Sequence, residues 1–263
     1  MTDAAQWSDL RTRVISAVVL IAVGAAEIWL GGVTFAILVI VLTTAMIWEL
    51  ANMTAPAQRN TPLVMAAIAA VSLGVAVAIP NPLAMTCLTA PAIALALTPR
   101  RDRRLATLYA VAIMVAGYGL ISLRRSGSET IIWLVLVVVV TDVLGYFAGR
   151  MLGGPKFWPA ISPKKTWSGT VAGWVGAGFV GMVFVLAGAA GWGLVPLSVL
   201  VAFAGQMGDI WESWIKRRCG VKDSSNLIPG HGGVLDRFDA LTGAIVAVML
   251  LGLIFTLPLP AVF

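Results

Sequence analysis

Charged residues are scarce in this chain. Asp, Glu, Lys and Arg make up 11% of its 263 residues, whereas 59% of the residues are hydrophobic. Soluble globular domains carry about 25% charged residues. The mean hydropathy of +0.94 points the same way. This composition excludes an ordinary soluble domain.

Cysteine and histidine are also rare, with two cysteines and one histidine in the whole sequence. These are too few for a Cys/His zinc site. Cys87 lies in an apolar stretch and Cys219 in a polar segment, so we expect no disulfide in a reducing compartment. No GxxxxGK[ST] loop or strand-coupled GxGxxG is present, which excludes the usual phosphate-binding loops. Internal repeats are not evident.

Long apolar runs, by contrast, fill most of the chain. Nine stretches are long enough to cross a hydrocarbon core of about 30 Å, and they lie near residues 14–31, 33–52, 62–80, 82–98, 104–122, 131–149, 168–190, 193–211 and 240–258. Such segments must be helical, because the bilayer offers no water to backbone polar groups. The sequence therefore predicts an all-α polytopic membrane protein, a bundle of about nine transmembrane helices. We expect a single integral-membrane domain over 1–263, with N-terminal spans in 1–122, a catalytic region in 131–241, and the last span and C-terminus in 242–263.

The positive charges fall mainly on one side of these spans. If the N-terminus is cytoplasmic, all of the 18 Lys and Arg residues except Arg124 and Arg125 are cytoplasmic, as the positive-inside rule expects. We therefore predict an integral protein of the cytoplasmic (inner) cell membrane whose polar site faces the cytoplasm. The net charge of +6 suits anionic lipids and anionic substrates alike. No nucleic-acid partner is expected.

Residues 204–241 form a dense polar block. Its charged side chains and the histidine are Asp209, Glu212, Lys216, Arg217, Arg218, Lys222, Asp223, His231, Asp236, Arg237 and Asp239. Burying one unpaired ion near lipid costs several kcal/mol, so this concentration predicts a functional site. A helix through 206–216 would place Gln206, Asp209, Glu212, Ser213 and Lys216 on one face. That face either lines a water-filled cavity or is a solvated helix end.

The residue types in this block suit phosphates and hard cations. Carboxylate oxygens bind Mg²⁺, and Lys and Arg neutralise phosphate oxygens. The turn Pro229–Gly233 offers backbone N–H groups to an anion, and His231 in it either contacts substrate or is a structural turn residue. On the same side, Lys164 and Lys165 precede the seventh span and Asp142 lies in the sixth.

Polar residues are few in the first half of the chain. We interpret Glu49, near a span end, as an interfacial carboxylate. Glu27 lies deeper and could pair across helices. The glycines of the seventh span (Gly169, Gly173, Gly176, Gly178 and Gly181) indicate close helix packing.

A family resemblance rests on these segments. Ser213, Lys216, Arg217, Lys222 and Asp223 form S-x-x-K-R-x4-K-D, which is followed by PGHGGVLDRFD from Pro229 to Asp239. With TDVLGYFAGR and SPKKTW upstream, the sequence closely resembles the phosphatidate cytidylyltransferases (CDP-diacylglycerol synthases) over roughly 140–241. It departs from that pattern at Ser168, where a glutamate is usual, and at Gly154-Pro155, where Gly-Lys is usual.

The resemblance implies that the enzyme joins CTP and phosphatidate into CDP-diacylglycerol in phospholipid biosynthesis, releasing pyrophosphate. It implies Mg²⁺ as cofactor, with a second cation possible, and a homodimer. Asp209 and Asp236 match the family's metal-binding aspartates. We expect catalytic roles for Asp209, Asp236, Lys216, Arg217 and Ser213. We expect substrate contacts from Lys164, Lys165, Lys222, Asp223, His231, Arg237, Asp239 and Asp142.

Two other functions remain open at this point. A lipid kinase would use CTP as phosphoryl donor to a polyprenol alcohol, and would then need a base such as His231 or an aspartate. An ion-coupled transporter would use Asp142 and Asp209 as a cation path. The number of cations beside these acids favours nucleotidyl transfer over transport.

Overall fold

A computed structural model describes residues 3–57, 60–79 and 81–260 of the chain, with side chains from residue 11 onward. Arg59, one of the cations counted as cytoplasmic, and Pro80, the last residue of the predicted third span, lie outside these ranges. The described residues form nine α-helices, one 3₁₀ helix and one β-hairpin. The α-helices are α1 (Asp3–Leu30), α2 (Gly32–Thr54), α3 (Thr61–Ala78), α4 (Ala90–Leu97), α5 (Arg103–Ser126), α6 (Ser128–Leu152), α7 (Trp167–Leu186), α8 (Leu194–Cys219) and α9 (Leu235–Gly252).

Seven of the helices in the described ranges are long and apolar enough to cross a membrane: α1 from Arg11 onward, α2, α3, α5, α6, α7 and α8. This confirms the predicted all-α polytopic membrane fold. The predicted fourth span is instead a 3₁₀ helix, Pro82–Thr89, that continues into the short α4. Pro82 and Pro91 stand at the starts of these two helices, where a missing N–H costs no hydrogen bond. The last helix begins at Leu235, earlier than the predicted 240, and carries charges in its first turns.

The chain divides into two compact units, each made of two separate segments. The first contains Met1–Gly117 and Arg218–Phe238, and the second contains Tyr118–Arg217 and Asp239–Phe263. The boundaries fall inside α5, α8 and α9. The single domain over 1–263 remains a prediction.

In the first unit, α2 packs against α3 around fully buried side chains such as Leu50 and Leu73. Arg100 holds the ends of two helices together. Its guanidinium donates to Thr54 Oγ1 at 2.8 Å and to the Leu95 carbonyl at 3.1 Å. Burial lowers the pKa of this guanidinium. Arg100 is therefore a structural cap of the C-terminal ends of α2 and α4.

In the second unit, α6 and α7 approach closely through small residues. A Cβ on Gly145 would lie 3.3 Å from the Gly169 carbonyl, and one on Gly173 would lie 2.9 Å from Thr141 Cγ2. The glycines of α7 thus serve packing, as the sequence predicts. The buried indole N–H of Trp133 donates to Ser198 Oγ at 2.8 Å and so ties α6 to α8.

The segment between α6 and α7 contains an antiparallel hairpin, β1 (Lys156–Trp158) and β2 (Ser162–Thr166), with Lys156 opposite Thr166. Thr166 Oγ1 caps α7 by accepting from the Gly169 N–H at 3.2 Å. Ser168 Oγ donates to the Gly153 carbonyl at 2.5 Å, and the Trp167 N–H donates to the Pro155 carbonyl at 3.0 Å. The residues at the two departures from the family pattern, Ser168 and Pro155, thus take part in closing the base of this hairpin.

Candidate functional site

Three carboxylates meet in the second unit. One ligand oxygen from each of Asp209, Glu212 and Asp239 lies within 4.8 Å of the others. Asp209 and Glu212 are three residues apart on α8 and therefore share a helix face, and Asp239 comes from α9. Glu212 is fully buried, and Asp209 is partly exposed. Like charges at this spacing repel one another, so the cluster requires compensation.

Two lysines partly compensate these charges. Lys165 Nζ lies 2.5 Å from Asp209 Oδ2, and Lys216 Nζ lies 2.6 Å from Glu212 Oε2. Ser213 Oγ donates to Asp209 Oδ1 at 3.3 Å. Three carboxylates and two ammonium groups leave one net negative charge. An all-oxygen donor set with this charge fits a hard divalent cation.

A cavity of about 430 Å³ adjoins Lys165 in the same unit. The polar side chains that line it include Asp142, Tyr146, Arg150, Lys164, Lys165 and Gln206. Arg150 donates to the Tyr146 hydroxyl at 2.8 Å. Gln206 is held at the cavity by Trp174, whose indole N–H donates to its Oε1 at 2.9 Å. Strand β2 contains Lys164 and Lys165, so the hairpin places both of these ammonium groups at the cavity, where they can contact phosphate oxygens.

The family signature lies mostly in the first unit. Asp236 accepts hydrogen bonds from the Ser224 N–H and hydroxyl, both at 3.0 Å, and from the Gly233 N–H at 2.7 Å. Arg237 donates from Nε and Nη2 to the His231 carbonyl at 2.9 and 2.6 Å. Arg237 therefore stabilises the turn, and His231 Nδ1 has no hydrogen-bond partner among the described residues.

Lys222 and Asp223 are exposed beside this turn. Arg218, at the end of α8, binds Asp102 Oδ1 at 2.7 Å. This hydrogen bond lowers the pKa of Asp102. Arg218 is thus engaged in an ion pair, whereas Arg217 is exposed.

The interfacial interpretation of Glu49 is wrong. Its side chain is fully buried, and it accepts hydrogen bonds from the Ser224 and Ser225 hydroxyls and from the Val234 and Leu235 N–H groups. Hydropathy places Glu49 at a span end, but it cannot show the donors that arrive from the other end of the chain.

The predicted site residues divide between the two units. The second unit contains Asp142, Lys164, Lys165, Asp209, Ser213, Lys216, Arg217 and Asp239. The first unit contains Lys222, Asp223, His231, Asp236 and Arg237. Asp209 and Asp236 belong to different units, so their joint metal binding remains a prediction. Glu212 lies on the predicted polar face of α8 but was not predicted as a metal ligand, and no local sequence pattern indicates the contacts of Ser224 and Glu49.

Comparison with known proteins shows the family of the chain. A model of the cytidylyltransferase family matches residues 11–255. The chain belongs to this family. It is 37% identical over 268 residues to a phosphatidate cytidylyltransferase of Brucella abortus biovar 1 (strain 9-941), covering 97% of this chain and 98% of that protein.

Other cytidylyltransferases match as well. One from Brucella suis biovar 1 (strain 1330), also named a phosphatidate cytidylyltransferase, is 36% identical over 261 residues, 95% of this chain and 96% of that protein. One of the same name from Helicobacter pylori (strain J99 / ATCC 700824) is 44% identical over 117 residues, 44% of each chain. The resemblance found in the sequence is thereby confirmed at the level of the family.

Proposed function

We propose that the protein transfers the cytidylyl group of CTP to phosphatidate, giving CDP-diacylglycerol and pyrophosphate. The observation that carries the proposal is the Asp209–Glu212–Asp239 cluster with its two lysines, beside a cationic cavity. The family and the full-length relatives named phosphatidate cytidylyltransferase support it. CTP and phosphatidate are the substrates, and the bilayer is the setting.

The reaction needs charge neutralisation more than acid–base catalysis. Phosphatidate is a phosphate monoester and is largely dianionic near pH 7, since its second pKa is about 6. Its oxygen forms the new bond to the α-phosphorus of CTP, and the bond from that phosphorus to pyrophosphate breaks. Both reactants are polyanions, so the protein must bring them together against repulsion and in line. Lys164, Lys165 and Arg150 face the cavity in which phosphate oxygens would lie.

Mg²⁺ fits the carboxylate cluster. Asp209, Glu212 and Asp239 would hold it, and when bound it supplies positive charge to phosphate oxygens. Lys165 and Lys216 orient two of these carboxylates through their ion pairs. Asp236, whose carboxylate accepts from Ser224 and Gly233, is proposed as a second metal ligand because it matches the family's metal-binding aspartates.

The membrane orientation and assembly belong to the same proposal. Positive charge concentrated on one side supports a cytoplasmic N-terminus and an active site that faces the cytoplasm of an inner membrane. A homodimer is implied by the family resemblance alone.

The products test this function. Purified protein in detergent with CTP, phosphatidate and Mg²⁺ should form CDP-lipid and pyrophosphate in equal amounts, and neither after chelation. Formation of lipid phosphate and CDP when a polyprenol alcohol replaces phosphatidate would instead establish the lipid kinase. A folded preparation that forms neither set of products would contradict the proposal and favour the ion-coupled transporter.

A further inference from the structure

Glu49 lies near the end of α2 and binds a segment far along the chain. Its Oε1 accepts from Ser225 Oγ at 2.5 Å and from the Val234 N–H at 2.9 Å. Its Oε2 accepts from the Leu235 N–H at 2.6 Å and from Ser224 Oγ at 3.2 Å. Both ends of the loop 224–235 are therefore attached to a single buried side chain of the first unit.

One part of this arrangement is a helix cap supplied from another helix. The first N–H groups of α9 have no acceptor within the helix. Val234, which precedes α9, has no side-chain oxygen, so it cannot cap the helix as Ser, Thr, Asp or Asn would. Glu49 supplies the missing acceptor, and the partial positive charge at the N-terminus of α9 attracts its carboxylate.

The other part leads to Asp236. The Ser224 hydroxyl lies 3.2 Å from Glu49 Oε2 and 3.0 Å from Asp236 Oδ2, while the Ser224 N–H donates to Asp236 as well. The Gly233 N–H also donates to Asp236, and a Cβ on Gly233 would lie 2.5 Å from Glu49 Oε1. The loop passes Glu49 so closely that only glycine fits there. The orientation of Asp236 is thus tied to Glu49 through Ser224.

We propose that Glu49 is a positioning residue, which fixes the loop 224–235 and, through Ser224, the carboxylate of Asp236. The inference rests on the proposed function, in which Asp236 serves the reaction. Glu49 itself acts through its neighbours. Removing an outer-shell partner of this kind typically lowers metal affinity or activity about 10–100-fold.

Glu49→Gln tests this role, because it keeps the size of the side chain but replaces one acceptor oxygen with a donor. Backbone N–H or hydroxyl donors of the loop then lose their acceptor. We expect faster amide hydrogen–deuterium exchange within 224–236, a kcat about 10–100-fold lower and a higher Mg²⁺ concentration at half-maximal rate. Glu27→Gln makes the same chemical change in α1, and should leave all three quantities at the wild-type values.

Wild-type exchange in 224–236 and a wild-type Mg²⁺ requirement in Glu49→Gln would overturn the proposal, even if the variant melted at a lower temperature. That pattern would belong to a purely structural residue. If Glu49→Gln does not fold, Ser224→Ala replaces it, because this change removes the hydroxyl that lies between Glu49 and Asp236 and leaves the N–H groups of Val234 and Leu235 bound to Glu49. An unchanged Mg²⁺ requirement in Ser224→Ala would overturn the proposal equally.

Failure of this inference can be told from failure of the proposed function. The exchange measurement needs no substrate, so it reports on Glu49 whatever the reaction is. Absence of CDP-lipid with the wild-type protein would contradict the function. Wild-type activity in Glu49→Gln, by contrast, would contradict only the positioning role.

Discussion

Replacing Asp239 by asparagine should affect stability in opposite ways without and with Mg²⁺. The ligand oxygens of Asp209, Glu212 and Asp239 lie within 4.8 Å of one another, and Lys165 and Lys216 pair with two of these carboxylates. Two ionised carboxylates 4.8 Å apart would repel by about 3.5 kcal/mol at an effective dielectric constant of 20. Asp239→Asn removes that repulsion, so the metal-free variant should melt at the wild-type temperature or above it.

With Mg²⁺ bound, the wild type should melt at a higher temperature than Asp239→Asn. A cation present at one hundred times its Kd stabilises the folded state by about 2.7 kcal/mol. At roughly 2–4 °C per kcal/mol for a chain of this size, the wild-type Tm should rise by about 5–10 °C. Asp239→Asn lacks one of the three proposed ligands and should lose most of this increment, together with most of its turnover.

Tryptophan fluorescence during heating in detergent measures the Tm of the metal-free protein in EDTA. A Mg²⁺ titration then gives the increase in Tm that the cation causes. Asp102→Asn is the matched control, because Asp102 pairs with Arg218 in the first unit and should keep the full Mg²⁺ increment. A full Mg²⁺ increment in Asp239→Asn would refute the assignment of Asp239 to the metal. A metal-free variant much less stable than wild type would refute the repulsion argument.

Other substitutions test the site and the helix packing. Asp209→Asn or Asp236→Asn should nearly abolish turnover while membrane insertion persists, and a wild-type kcat in either would remove that residue from the site. Lys165→Met should lower kcat/KM for CTP by about 10–100-fold, because a hydrogen bond to a charged group is worth about 1.5–3 kcal/mol; unchanged kinetics would place phosphate elsewhere. Gly169→Ala should destabilise the protein by about 1–3 kcal/mol through overlap with the backbone of α6, whereas Gly24→Ala has open space. Equal Tm values for these two variants would contradict the close packing of α6 and α7.

The helices were predictable because hydropathy reports directly on the environment of a membrane segment. The polar face of α8 was equally predictable, because residues 206–216 do form a continuous helix. Residues 82–97 differ from expectation because Pro82 and Pro91 divide a stretch whose composition alone looks like a span. Composition indicates that this segment is apolar, whereas the prolines determine where its two helices begin.

The contacts of the site were less predictable, because they depend on partners distant in sequence. Glu49 meets donors that lie 175–186 positions later in the chain. Lys165 reaches Asp209 because it lies on strand β2, which pairs with β1 and leads directly into α7. Asp236 and Asp239 share one helix, yet Asp236 is bound by Ser224 and Asp239 joins the carboxylate cluster of the second unit. No local pattern distinguishes these two aspartates.

The most direct test of cytidylyl transfer follows the phosphorus atoms of CTP. Purified protein would receive phosphatidate, Mg²⁺ and CTP labelled either at the α-phosphorus or at the γ-phosphorus. Cytidylyl transfer predicts that the α-label enters the lipid and that the γ-label leaves as pyrophosphate. Entry of the γ-label into the lipid would show phosphoryl transfer and contradict the account.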